Sequence, residues 1–365
     1  MSPNRLFAIV LKELRQLRRD RLTFGMILGI PTLQLLLFGF AINLDVRHID
    51  AAVADLSQTA HSREIVARLD ATGVVRLREQ VRTPDELQTL MRQGRISIGI
   101  VLPEDMERRL EVSRSNPHER PALQVMVDGS DQTIQAAARQ LASMPLPGLR
   151  DSYQAVEVVN FYNPERRAPV NTVPGLVGVI LTMTLVMFTG MALVRERERG
   201  NMEMLIATPV SPWELTVGKV LPFIGIGLVQ VTVVLLLGKL VFDVPIRGHL
   251  LELYAAALLF ILANLSLGIL ISTLAQSQFQ SMQLAFFTFL PQILLSGFMF
   301  PYAGMPVAAQ WIAELLPMTH FIRLIRGIML RGAELRDLPN DLLALALIAA
   351  VLLVVSTRRI RKRLD

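Results

Sequence analysis

Six apolar runs, each long enough or nearly long enough to cross a hydrocarbon layer of about 30 Å, leave this chain few folds to choose from. They cover roughly 22–43, 174–194, 217–241, 252–274, 281–300 and 340–357. The chain as a whole is 52% hydrophobic and only 19% charged, a balance that soluble domains rarely show. The expectation is an α-helical polytopic membrane protein with six transmembrane helices. The first run is too long for a cleaved leader and lacks an A-x-A site, so it reads as a retained anchor.

Basic residues fix the expected orientation. Arg5, Lys12, Arg15, Arg18, Arg19 and Arg21 precede the first run, Arg358, Arg359, Arg361, Lys362 and Arg363 follow the last, and Arg195, Arg197, Arg199 and Lys219 flank the loop after the second. An even number of spans places both termini on one side, and these three clusters agree on the cytoplasm. Arg323, Arg326, Arg331 and Arg336 then fall outside, against the rule. The net charge of +6 does not suggest nucleic-acid binding, because the basic residues flank apolar runs and form no single face.

This topology divides the chain as follows. Residues 1–21 form a cytoplasmic amphipathic helix, with Leu6, Phe7, Val10, Leu11, Leu14 and Leu17 on one side and Arg5, Lys12, Arg15 and Arg19 on the other. Residues 22–43 are the first span, and 44–173 an inserted extracytoplasmic α/β domain. In that domain short β-like runs at 51–57, 95–103 and 122–130 alternate with helical stretches at 59–70 and 83–93. A long helix starting in 131–144 is expected to lead back to the membrane. Residues 174–357 hold spans two to six, and 358–365 a basic cytoplasmic tail.

Several chemistries are excluded or disfavoured. There is no Cys, so disulfides and thiolate chemistry are absent. His48, His61, His118, His249 and His320 are scattered without ligand spacing, which predicts no metal site. The span middles carry amides (Gln34, Gln230, Asn264 and Gln292) rather than the ionisable groups an ion-coupled carrier needs. These amides read either as interhelical hydrogen bonding or as a candidate substrate path. The only Gly-Lys pairs, Gly218-Lys219 and Gly238-Lys239, lack the upstream Gly and following Ser or Thr of a phosphate loop. The chain is therefore expected not to be an enzyme.

The loop after the second run is the most structured polar segment. Ser211, Pro212 and Glu214 form a capping box with Pro at the first helical position, and Val210 and Leu215 supply a hydrophobic staple. Residues 195–206 read as a helix continued from the second span, with Pro209 limiting it. Two stiff pieces joined by an elbow can pass a push into the membrane.

Two long motifs carry a family likeness: VRERERGNMEMLIATPVSPWELTVGK from Val194 to Lys219, and LLSGFMFPYAGMPVAAQWIAELLPMTHFIRLIRGIMLRG from Leu294 to Gly332. With them the whole chain resembles the permeases of type-2 ABC exporters, in the subgroup with a large domain between the first two spans. Asn201-Met202 departs from the family's usual small residues there.

The resemblance implies an ATP-driven exporter permease that moves an amphipathic or hydrophobic substrate (drug, cation or lipid-like) out across the bacterial inner membrane. It implies no cofactor on this chain, with ATP and Mg held by a cytoplasmic ABC ATPase. The ATPase-coupling loop, 195–216, would use Arg195, Glu196, Glu198, Gly200, Glu203, Pro209, Ser211, Glu214 and Lys219. The segment 301–338 would be re-entrant in the outer leaflet, which accounts for Arg323 and Arg326. Partners implied are a second permease (homodimer or paralogue), membrane lipid and a periplasmic adaptor. The alternative is a membrane-anchored sensor or assembly protein with an extracytoplasmic ligand-binding domain.

Overall fold

The computed structural model describes residues 48–113, 121–142, 156–198 and 212–361. The expected amphipathic helix 1–21, the first span 22–43 with Gln34, most of the coupling loop and the last residues of the tail lie outside them.

The first described region is an α/β layer. Strands β1 (Ile49–Asp55), β2 (Val75–Val81), β3 (Ile98–Leu102), β4 (Leu123–Asp128) and β5 (Val156–Phe161) form one sheet in the order β2-β1-β3-β4-β5. All pairings are parallel except β3 with β4. Side chains alternate across β1, so Ile49, Ala51 and Val53 enter one core and Ala52 and Ala54 the other. Helices α1 (Ala60–Ala71), α3 (Met106–Ser113) and α4 (Gln132–Ala142) cover the first face through Ile65, Leu69, Met106, Leu110, Ile134 and Leu141. Helix α2 (Pro84–Arg92) covers the second with Leu87, Leu90 and Met91. Two threonines start these helices, as their side chains cap the backbone: Thr59 accepts from Ser62 N at 3.1 Å and Thr83 from Glu86 N at 3.3 Å.

The layer joins the helical bundle differently from the expectation. The helix in 131–144 does not lead to the membrane; strand β5 intervenes, and β4 holds it in parallel register from Leu123 with Val156 to Asp128 with Phe161. A turn then runs directly into α5 (Ala168–Glu198). Asn163 fixes that turn: its Oδ1 accepts from Arg167 N at 2.9 Å and its Nδ2 donates to Arg167 O at 3.0 Å.

The bundle comprises α5, α6 (Pro212–Leu240), α7 (Leu250–Leu274), α8 (Gln278–Leu295), α9 (Val307–Glu314), α10 (Pro317–Arg326) and α11 (Pro339–Arg361). Among the described residues, four segments are long and apolar enough to cross a membrane: Ala168–Glu198, Leu221–Leu240, Leu250–Leu274 and Pro339–Arg359. They coincide with the second, third, fourth and sixth expected spans. The fifth, expected over 281–300, is an 18-residue helix that ends at Leu295 and is not among the four. Gln278, Gln280, Gln283 and Gln292 dilute its hydropathy, and Gly297 at φ +80° turns the chain away after Ser296.

Helix α7 sits at the centre and is mostly buried, whereas α11 is largely exposed. It packs closely on α5 because Gly268 leaves room: a Cβ there would lie 2.9 Å from Val186 O. Across the bundle, Phe260 of α7 stacks on Phe321 of α10 with ring centroids 4.2 Å apart.

Candidate coupling surface and charge cluster

The end of α5 farthest from the sheet carries the alternating charges singled out in the sequence. Helical phase sends each neighbour in a different direction. Val194 is buried, Arg195 and Glu198 exposed, and Glu196 and Arg197 half-buried. Arg197 Nη1 donates to the carbonyls of Ser272 and Ala275, each at 3.4 Å, where α7 ends. Glu198 accepts from the backbone N–H of Gln278 at 2.9 Å and from its side-chain amide, where α8 begins. Helix ends leave such carbonyls and N–H groups without intrahelical partners, and their partial charges favour a cation at the first and an anion at the second. Two consecutive side chains therefore fasten α5 across the α7–α8 turn. Glu214 and Lys219 fall on the first turns of α6, whereas Gly200, Glu203, Pro209 and Ser211 lie outside the described residues.

The buried amides behave differently from one another. Gln230 on α6 accepts from the Thr184 hydroxyl of α5 at 2.9 Å, an interhelical bond. Asn264 is fully buried; its Nδ2 donates to Phe260 O in its own helix at 2.9 Å, and its Oδ1 has no partner. Gln292 is buried with an unpartnered Oε1. No hydrogen bond joins these three amides to one another.

At the opposite end of the bundle a charged cluster, absent from the sequence-derived site, ties α9, α10 and α11 together. His320 is buried between two acceptors: Nδ1 lies 2.9 Å from Asp341 Oδ1, and Nε2 lies 2.9 Å from Glu314 O. Arg323 reaches Glu314 Oε1 at 2.7 Å and Asp341 Oδ1 at 3.2 Å, and its guanidinium lies 4.4 Å from the Tyr302 ring centroid. Burial alone would hold His320 neutral, but the Asp341 hydrogen bond, the Glu314 carbonyl and the Asp341 charge raise its pKa above the ordinary value. Burial works on Glu314 in the other direction, yet hydrogen bonds from Arg323 and Tyr302 leave its carboxyl below the usual range. Burial and the adjoining Glu314 push the Tyr302 hydroxyl up to about 12.

From this cluster the chain continues into a π-helical turn, Gly327–Arg331, which meets the α/β layer. Arg326 faces Asp131 at 3.3 Å, and Arg331 faces Asp128 at 3.5 Å. The α6–α7 connection braces the same turn, with Arg247 N donating to Met329 O at 2.9 Å and its Nη1 to Leu330 O at 3.1 Å. The sequence signal for all this was the group of arginines that broke the charge rule.

Comparison with known proteins finds relatives that match the chain over nearly its full length. The probable multidrug ABC transporter permease YbhR of Escherichia coli strain K12 is 28% identical over 360 residues, covering 95% of each chain. YbhS of the same strain, which carries the same description, is 28% identical over 382 residues, covering 100% of this chain and 99% of its own. ABC transporter G family member 20 of Dictyostelium discoideum is 23% identical over 340 residues, covering 90% of this chain and 46% of its own length. With membrane-crossing helices throughout its second half, and with the family profile described as ABC-2 family transporter protein matching residues 21–358, the chain is a multi-pass membrane permease that belongs to the ABC-2 transporter family.

Proposed function

We propose that this permease is driven by a separate cytoplasmic ATPase and exports an amphipathic or hydrophobic molecule across a bacterial inner membrane. The observation that carries the reading is the fastening of α5 by Arg197 and Glu198. A push received in the loop between α5 and α6 is thereby shared among α5, α7 and α8 instead of bending one helix end. The relatives named as multidrug permeases support a cargo of this class. In this reading residues 195–216 dock on the ATPase, both termini are cytoplasmic, and the α/β layer lies on the far side, where an adaptor or a second permease meets it.

The test is ATPase stimulation. The permease co-purified with its ATPase should raise ATP turnover, and the pair should export hydrophobic dyes from cells. Replacing Arg197 and Glu198 together by Ala should leave the complex intact and reduce dye export at least about ten-fold while hydrolysis continues, since ~1.4 kcal/mol of lost coupling is a factor of ten. Normal export by the double variant would remove the fastening from the mechanism, and no complex with the ATPase would overturn the exporter reading.

A further inference from the structure

Where the α/β layer rests on the bundle, two cavities adjoin. The larger, about 850 Å³, is bounded by the sheet, the α8–α9 connection and the charged cluster. The smaller, about 280 Å³, is bounded by Phe298, Met299 and Phe300 and by Asn171 and Thr172 near the start of α5. They share Asp131, Gly297, Pro301 and Arg326, so the Arg326–Asp131 pair stands at their junction. The first space is polar and charged, the second largely apolar and aromatic. Their combined size suits a small amphiphile.

The ion pairs on the wall are unequal. Arg323 is fully engaged, with a fork onto Glu314, a bond to Asp341 and an aromatic face. Arg326 and Arg331 are not. Each reaches its aspartate through one terminal nitrogen, at 3.3 and 3.5 Å, that of Arg326 also donating to Gly297 O at 3.3 Å, and in each the buried Nε has no acceptor. Their side chains are only 14% and 10% exposed. Two buried guanidiniums thus retain donor capacity that an anionic oxygen group would use with bidentate geometry.

An anion alone would draw Arg331 away from the buried Asp128 and leave that carboxylate without the guanidinium facing it, which is costly in a desolvated wall. A cation alone would strand the arginines. A ligand carrying both signs replaces both halves of each pair. We propose that the two-part cavity binds a zwitterionic amphiphile, with its anionic group at Arg326 and Arg331, its cationic group at Asp128 and Asp131, and its apolar tail among Phe298, Met299 and Phe300. As a binding site this stands apart from the exporter reading; as a station for cargo it rests on that reading.

The experiment uses the purified full chain in a neutral maltoside detergent, without ATPase or ATP. Three fluorescent probes share one dansyl-labelled alkyl tail and carry a phosphocholine, a trimethylammonium or a phosphate head. The phosphocholine probe should bind at least ten-fold more tightly than either singly charged probe. Arg326→Gln should abolish that preference and strengthen the trimethylammonium probe, whereas Asp131→Asn should abolish it and strengthen the phosphate probe. A general loss of structure would not produce those opposite shifts. Phe298→Ala, which leaves the ion pairs untouched, should weaken all three probes by a similar factor. Equal binding of the three probes to the wild type, or an unchanged preference in the folded variants, overturns the proposal. Failure here leaves ATPase stimulation intact, and failure of stimulation leaves this binding intact.

Discussion

Buried polar atoms without a partner concentrate in the helical bundle rather than in the α/β layer, although others in the bundle, such as Ser266, Ser272 and Thr273, are bonded. In the layer, Asp55 accepts from Ser57 N at 3.1 Å, Gln58 N at 2.9 Å and the buried Ser62 hydroxyl at 2.7 Å. In the bundle, among the described residues, Thr182 and Thr189 of α5, Asn264 of α7, Ser281 and Gln292 of α8 and Thr319 of α10 each keep a buried polar atom without a partner. A layer that must hold one shape spends its hydrogen bonds internally. In the bundle an unused acceptor in an apolar interior costs stability for as long as it stays unused.

That contrast can be tested by removing polar groups one at a time in the full chain and following thermal unfolding in detergent. The largest loss is expected in the layer: Asp55→Ala deletes a carboxylate that accepts three hydrogen bonds and should destabilise the sheet by about 2–4 kcal/mol. An unchanged unfolding midpoint for this variant would contradict the comparison.

The charged cluster comes next, since it is a bundle site bonded as fully as the layer. The pKa of His320 is raised in the folded protein, so the stability it contributes is fully present below its unfolded value of about 6.5 and is lost as pH rises through the folded value. The unfolding midpoint should therefore fall as pH increases above neutrality, by less than Asp55→Ala lowers it, and His320→Gln should flatten that dependence. A midpoint that rises with pH over the same range, and does so only with His320 present, would show the opposite linkage.

Smaller still is the interhelical bond between Thr184 and Gln230. Thr184→Val should cost about 0.6 kcal/mol, the average for such bonds between membrane helices. Last comes a change with the reverse sign. Gln292→Leu removes an unpartnered amide oxygen and should be neutral or slightly stabilising. Marked destabilisation by this variant would mean that the Gln292 amide does bond in the working protein, through a second chain or cargo.

The contrast also explains what the sequence made readable. Long apolar runs reveal membrane-crossing helices, because their length is a local property, and α5, α6, α7 and α11 follow from them. Strand β1, as IDAAVAD, reads as a buried strand for the same reason. Strand β2, as VRLREQV, does not: it is an edge strand whose Arg76 and Arg78 pair with Asp50, so its composition resembles a surface helix. The fifth expected span runs on to residue 300 because the apolar residues after Ser296 read as more helix, whereas Gly297 at φ +80° turns the chain there. Of the cluster at His320 only Arg323 stood out in the sequence, since its partners Tyr302, Glu314 and Asp341 come from different elements and only the fold gathers them. Arg197 was one of several alternating charges, and only helical phase distinguishes it from Arg195.

One further consequence follows from α5. At 1.5 Å per residue its 31 residues form a rod about 46 Å long. Arg197 and Glu198 bolt one end to two neighbouring helices, and at the other the Asn163 turn joins it to strand β5 with no slack linker. In the exporter reading such a rod, interrupted only by Pro174 in its second turn, would carry motion from one end to the other. A tilt of a few degrees at the bolted end reaches the sheet as a displacement of a few ångströms, and the sheet must move as one piece because β5 is hydrogen-bonded along its length to β4.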